Sequence, residues 1–351
     1  SAYSVDINGF EVPTKEGTTV SAEFLSQLGS LTHLKQLDLS QSSVNDKDMS
    51  HLVRLSELEY LRLGDTSVTD TGLEHLATLS NLKSLDLCRT GVNGDGLKYL
   101  AGLNKLAELN LAQSDVTDTG LRNLQGHTGL RILSLGHTQV TDAGLKSLEG
   151  LSNLTWLDIS HTKVTNFGLT HVRGLPKLDT LYLTDTQVTG AGLRELDSLT
   201  KLARLELSGT QVDDASLSYL GSLANLKILA LNSTAVSGEK ADFGRFRGLF
   251  QLQLRGAPVS DDGMATIKDL VHLDTLDLSQ TRITDAGLKS LNELTRLKSL
   301  DLSRTSVTDD GLDDLSALTS LRVLQIAHTR ISTDGREKLR KLLPYCRVEA
   351  E

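Results

Sequence analysis

His137, His161 and Asp185 follow one another at intervals of 24 residues. Two imidazoles and a carboxylate are donor types that hold zinc at ~2 Å, and histidines so placed would also respond to pH near neutrality. Either chemistry requires distant stretches of chain to be laid side by side. The same interval places Gln41, Asp65, Arg89, Gln113 and Gly209 at equivalent points. A solvated polar rim therefore accounts for the trio, and no metal or other cofactor is assigned.

Other chemistry-bearing patterns are sparse. Gly91-Val92-Asn93-Gly94-Asp95-Gly96 is glycine-rich, but lacks the fingerprint spacing and the strand–helix–strand setting of a dinucleotide loop; it reads as a turn, with Leu97 in register. Asp46-Lys47-Asp48 lacks the remaining ligands of a calcium loop. Cys88 is expected on an outward strand position beside Arg89, and without a clear source of pKa lowering it reads as an inert surface thiol. The His-Glu-x-x-His, Gly-x-Ser-x-Gly and P-loop patterns do not occur. No catalytic residue is assigned, and the chain is read as non-enzymatic.

The elements that would position these residues come from a repeat. Leucines recur with a period of 24 from Leu31 through Leu55, Leu79 and Leu103 to Leu318, with His127 and Phe246 substituting. About thirteen rungs result. In the rung starting at Leu270, alternation across Leu276-Asp277-Leu278 is strand periodicity, whereas Gly287-Leu288-x-x-Leu291 has the spacing of a short helix. Thr284-Asp285 just before it is a helix-start signal, and Gly287 allows a neighbouring rung to approach. A strand plus a short helix cannot bury its leucines alone, so rungs must stack. After the strand comes Thr at Thr66, Thr90, Thr138, Thr162, Thr186, Thr210, Thr234, Thr281, Thr305 and Thr329, with Ser42 and Ser114 substituting. A ladder of these hydroxyls is expected, with few bonds per rung.

On these residues, notably Thr138-Gln139-Val140-Thr141-Asp142-Ala143-Gly144-Leu145, the chain resembles leucine-rich-repeat proteins, from about residue 20 to 342. The variant is similar to bacterial repeat arrays and to the repeat region of F-box-type substrate receptors. The resemblance implies an α/β leucine-rich-repeat solenoid: a curved horseshoe with a parallel sheet on its concave face and short helices on its convex face. It also implies protein binding on the concave face. The expected organisation is an N-terminal cap over 1–30, the array over 31–341 and a capping strand over 342–351. The cap keeps only part of the pattern (Thr18, Val20, Leu25 and Leu28, within Ile7 to Ser30). The rung at Leu223 is one residue short, and its tail, Gly238 to Gly248, is either a lateral partner site or a tolerated deletion.

Outward strand positions are free of packing duties, so binding residues belong there. Ile132, Trp156, Tyr182, Arg204 and Ile228 occupy them near the middle of the array, with Asp158 beside Trp156, the sole tryptophan. Trp, Tyr and Arg are the types enriched in binding hot spots. His137, His161 and Asp185 complete the expected partner-binding set.

The balance of 36 Lys and Arg against 45 Asp and Glu argues against a nucleic-acid partner. At roughly 4.8 Å per rung, Cys88 and Cys346 lie about 50 Å apart, too far for a disulfide, which favours a reducing or bacterial setting. No apolar run approaches the ~18 residues of a membrane span. Ser1-Ala2-Tyr3-Ser4 lacks a Met and a signal peptide, as if targeting ends had been trimmed; a cytoplasmic and a secreted or surface location both stay open. The expected function is a monomeric protein-interaction scaffold with an unidentified protein partner. The alternatives are the substrate-recognition part of a ubiquitin ligase or bacterial effector, and a cell-surface adhesion module.

Overall fold

The structure is a computed structural model that describes residues 5–6, 9–11, 20 and 22–350. The partial repeat pattern expected at Ile7 and Thr18 lies outside the described residues. The chain forms two compact units, Ser1–Leu178 and Asp179–Glu351.

In the first unit, β1 (Val5–Asp6) pairs antiparallel with β2 (Gly9–Glu11), which runs parallel to β3 (Gln36–Asp38). Parallel strands follow, one per rung: β4 (Tyr60–Arg62), β5 (Ser84–Asp86), β6 (Glu108–Asn110), β7 (Ile132–Ser134) and β8 (Trp156–Asp158). The helical side carries α1 (Ala22–Leu28), α2 (Asp118–Leu121), α3 (Asp142–Leu145) and α4 (Asn166–Val172), with 3-10 turns at Asp48–Leu52, Gly72–Leu76 and Asp95–Leu100. In the second unit β9 (Thr180–Tyr182), β10 (Arg204–Glu206), β11 (Ile228–Ala230), β12 (Gln251–Gln253), β13 (Thr275–Asp277), β14 (Ser299–Asp301), β15 (Val323–Gln325) and β16 (Arg347–Glu349) are all parallel. Its helices are α5 (Asp261–Met264), α6 (Asp285–Leu288) and α7 (Thr333–Leu342). The fold is thus the leucine-rich-repeat solenoid. The expected helices are often only a turn long and partly 3-10, a geometry that suits leucines three apart, such as the buried Leu73 and Leu76.

Strands β3 to β15 are each three residues long with the central leucine buried, from Leu37 to Leu324. The leucine or isoleucine two residues later is buried as well, so the first and third strand residues share the outward face. The threonine row differs from expectation. Each hydroxyl turns back onto its own rung, donating to the carbonyl three residues earlier: Thr66 to Leu63 at 2.6 Å, Thr138 to Leu135 at 2.6 Å and Thr281 to Leu278 at 2.6 Å. It closes the turn after the strand, and no hydroxyl ladder joins the rungs.

A carboxylate joins them instead. Asp118 accepts the Thr141 N–H and hydroxyl, both at 2.7 Å, and Asp142 does the same for Thr165 in the following rung. In the second unit Asp261 holds Thr284 and Asp285 holds Thr308. The free N–H groups of one helical turn are capped from the preceding rung. This explains the glycine of the repeat: a Cβ at Gly287 would stand 2.5 Å from Asp261 Oδ1.

Candidate functional site

The nine expected partner-binding residues divide between the units. In the first, β7 and β8 set Ile132 opposite Trp156 and Ser134 opposite Asp158. Ile132 is 36% exposed, a high value for an isoleucine on a sheet, and Trp156 is half-buried beside it. Asp158 is engaged in the fold. Its Oδ1 accepts the Ser160 N–H at 2.9 Å and its Oδ2 accepts the Ser134 hydroxyl at 3.4 Å, which fixes the end of the strand.

His137 and His161 do meet. Their rings stack with centroids 3.8 Å apart and planes at 12°. Imidazole lone pairs lie in the ring planes, so two nearly parallel rings send them side by side and do not converge on one ion. Among the described residues no group of three His, Cys, Asp or Glu is placed to hold a metal. Both histidines have left-handed backbone, φ 58° and 55°, and the His137 N–H reaches the Ser160 carbonyl at 2.9 Å. The position is a backbone corner that carries exposed side chains.

In the second unit Tyr182 lies opposite Glu206, and Arg204 lies opposite Thr180 on one side and Ile228 on the other. The Arg204 guanidinium sits 5.5 Å from the centroid of the Tyr182 ring, and its Nε donates to Glu206 Oε1 at 3.0 Å. Glu206, which sequence reasoning passed over, is only 8% exposed. It anchors Arg204 from below while the tyrosine flanks it, a contact worth about 0.5–1 kcal/mol at an accessible surface. Ile228 is half-buried, and Asp185 is exposed at the left-handed corner with φ 51°.

The remaining motifs are structural. Gly94 adopts φ 104°, and a Cβ there would stand 2.5 Å from Gly120 Cα, so the glycine-rich stretch is a close rung contact. Asp46 accepts the Thr69 N–H and hydroxyl at 2.7 and 2.6 Å, and Asp48 accepts the Asn45 N–H at 2.9 Å. Cys88 and Cys346 are both free thiols. Burial pushes the Cys88 thiol up to about 11, with Asp86 adding to the rise, so little thiolate forms near neutrality. Phe243 and Phe246 of the irregular segment are buried and present no aromatic surface.

A family model for the leucine rich repeat matches residues 128–188 and 271–331. The two matched segments carry the leucine-rich repeat. Among solved structures it is similar to an internalin of Listeria monocytogenes, with 23% identity and a TM-score of 0.60 over 94% of this chain and 88% of that one. It is also similar to a leucine-rich-repeat protein of Leptospira interrogans, with 21% identity and a TM-score of 0.58 over 95% and 93%. A plant peptide hormone receptor, RGFR1, solved in complex with RGF2, aligns with 16% identity and a TM-score of 0.52 over 95% of this chain and 60% of that one. No curated protein matches the sequence. Among the described residues no helix is long and apolar enough to cross a membrane.

Proposed function

We propose that the chain is a protein-interaction scaffold whose strand face engages a protein partner, through Ile132 and Trp156 on the first unit and Tyr182, Arg204 and Ile228 on the second. The observation that carries this reading is the in-register pairing of Ile132 with Trp156 on the outward side of the sheet. Ile132 is exposed and the other four side chains are half-buried, and large apolar or aromatic groups at a surface supply contact area for a partner. The Arg204 anchor supports it, because Glu206 and Tyr182 hold the guanidinium before a partner arrives, which lowers the ordering cost of binding. The plant receptor solved with its hormone shows this architecture holding a peptide.

A net charge of -9 does not suit a nucleic-acid backbone, and the reading is of a monomer without catalytic activity. Substrate receptor, effector and adhesion settings would all use the same face.

Replacing Trp156 and Tyr182 together by alanine tests the placement. Partner affinity, measured by calorimetry with a partner captured by the wild-type chain, is expected to fall by about 30-fold or more, as for two hot-spot truncations. The circular dichroism spectrum should stay unchanged. Undiminished affinity in the double variant would reject the site.

A further inference from the structure

Strands β12 to β16 of the second unit frame an open recess of about 210 Å³. It lies away from the residues proposed above, and Arg255, Gln280, Asp301, Arg304, Gln325 and Glu349 line it. That is smaller and more polar than the roughly 300–1,000 Å³ of drug-sized sites, so only a small polar ligand fits.

Its arginines differ from others on the strand side. Arg62 closes on Asp38, Arg89 on Asp65, Arg204 on Glu206 and Arg347 on Glu349. Among the described residues the guanidiniums of Arg255 and Arg304 have no hydrogen-bond or ion-pair partner. The nearby carboxylates are engaged in part by the array itself. Asp277 Oδ1 accepts the Ser279 N–H at 2.9 Å and its hydroxyl at 2.7 Å, and Asp301 Oδ1 accepts the Ser303 N–H at 2.8 Å. Gln325 Nε2 donates to Glu349 at 3.1 Å, and Arg347 pairs with the same carboxylate.

The groups left over form a pattern. Arg255 follows β12, Gln280 follows β13 and Arg304 follows β14. At roughly 4.8 Å per strand the two arginines are rooted about 10 Å apart, with the glutamine amide between them. Two side chains of that length can close on one carboxylate from both sides. Asp301 Oδ2 remains uncommitted on the floor. Burial raises the carboxyl of adjacent Asp277, the Asp301 charge adds to the rise, and the Arg255 charge opposes it. A plain anion would meet Asp301 and Glu349, and a plain cation would meet both arginines. A small molecule bearing both charges satisfies the recess. We propose that it binds a zwitterion of the α-amino-acid class, with the ligand carboxylate between Arg255 and Arg304 over Gln280 and the ligand ammonium on Asp301.

The test is a titration of the full chain, followed by amide NMR, with the common L-amino acids. Acetate, N-acetylalanine and alanine methyl ester serve as probes with one charge missing. At least one free amino acid should bind saturably, with shifts centred on β12 to β14. Blocking its amine or its carboxylate should weaken binding by about tenfold or more. The Arg255→Gln/Arg304→Gln variant should abolish binding with an unchanged unfolding transition, since neither guanidinium bonds to the protein. Asp301→Asn should remove the preference for the free amine over N-acetylalanine. Three results would overturn the proposal: no response to any amino acid, equal binding of acetate or N-acetylalanine, or wild-type binding by the double arginine variant. None of them bears on the Trp156 and Tyr182 face.

Discussion

In the rung from Thr141 to Leu148 the chain enters its helical turn on the Asp118 carboxylate, and Asp142 then carries the same contact forward to Thr165. In the rung from Ser237 to Phe246, Asp214 reaches forward as usual, holding the Ser237 N–H at 2.9 Å and its hydroxyl at 2.6 Å. There the relay weakens to a single contact, in which Glu239 accepts the Ser260 hydroxyl at 3.3 Å. Gly238, at φ 82°, stands where an aspartate would be, and Phe243 and Phe246 fill the space of the regular helix leucines. A Cβ at Gly263 in the next rung would stand 2.2 Å from the Ser237 carbonyl oxygen, whereas one at Gly144 would stand 2.4 Å from Asp118 Oδ1. Gly94 and Gly120 repeat the carbonyl version: a Cβ at Gly120 would lie 2.5 Å from the Asn93 oxygen. Rungs are therefore stitched either by a side-chain carboxylate or by a backbone carbonyl, and both leave no room for a Cβ opposite.

The largest effect should come from the aromatic filling of the short rung. Phe243 is completely buried, so Phe243→Ala is expected to cost about 3–5 kcal/mol. Long arrays do not unfold as one unit, so the loss is best read as faster amide exchange around β11 and β12. A cost below about 1 kcal/mol would mean that the segment is a loop laid over the array and not part of its core. Glycines sharpen the contrast. Gly144→Ala should destabilise by about 1–3 kcal/mol, because the new methyl displaces the capping carboxylate. Gly244 lies within the irregular rung, where a Cβ would meet its nearest atom at 3.3 Å, an oxygen of the exposed Asp242 side chain, which can move aside. Gly244→Ala should stay within about 0.5 kcal/mol. Equal effects at the two glycines would remove the distinction between the rung types.

Much of this was legible beforehand because the period repeats one physical constraint many times. Leu276, Leu278, Leu288 and Leu291 announce strand and helix, and all four are buried. The direction of hydrogen bonds was not legible: spacing shows that Thr138 and Asp118 recur but not that one turns back and the other reaches forward. The left-handed corner at His137 and His161 was treated as a variable polar rim. Gly209 and Gly256 at the same repeat position held the clue, since glycine is the residue that reaches positive φ without strain. On the strand face, Ile132 and Trp156 were found because period 2 fixes their side. Asp158 was found for the same reason, but alternation gives no sign that its carboxylate is spent on Ser160. The recess at Arg255 and Arg304 escaped notice because its lining comes from separate rungs and only the missing partners single it out.

A defect in side-chain chemistry should behave differently from a defect in chain length, and His127 provides the comparison. It occupies a leucine position, between Leu103 and Leu151 of the neighbouring rungs, and the backbone keeps its register. The imidazole is buried, and its Nε2 has no hydrogen-bond partner. Burial holds its pKa below the ordinary histidine value. The unfolded imidazole takes up a proton near about pH 6.5, while the folded one resists until lower pH. Stability is thus intact above about pH 6.5 and declines as the pH falls below it, because the unfolded chain then binds the extra proton. His127→Leu is expected to stabilise by about 1 kcal/mol at neutral pH through removal of the orphaned nitrogen. The advantage should widen on acidification, read as the difference in urea midpoint between variant and wild type at about pH 8 and about pH 5.5. A difference that shrinks on acidification would mean that the imidazolium gains a partner inside the array, and would place His127 among the stitches and not among the defects.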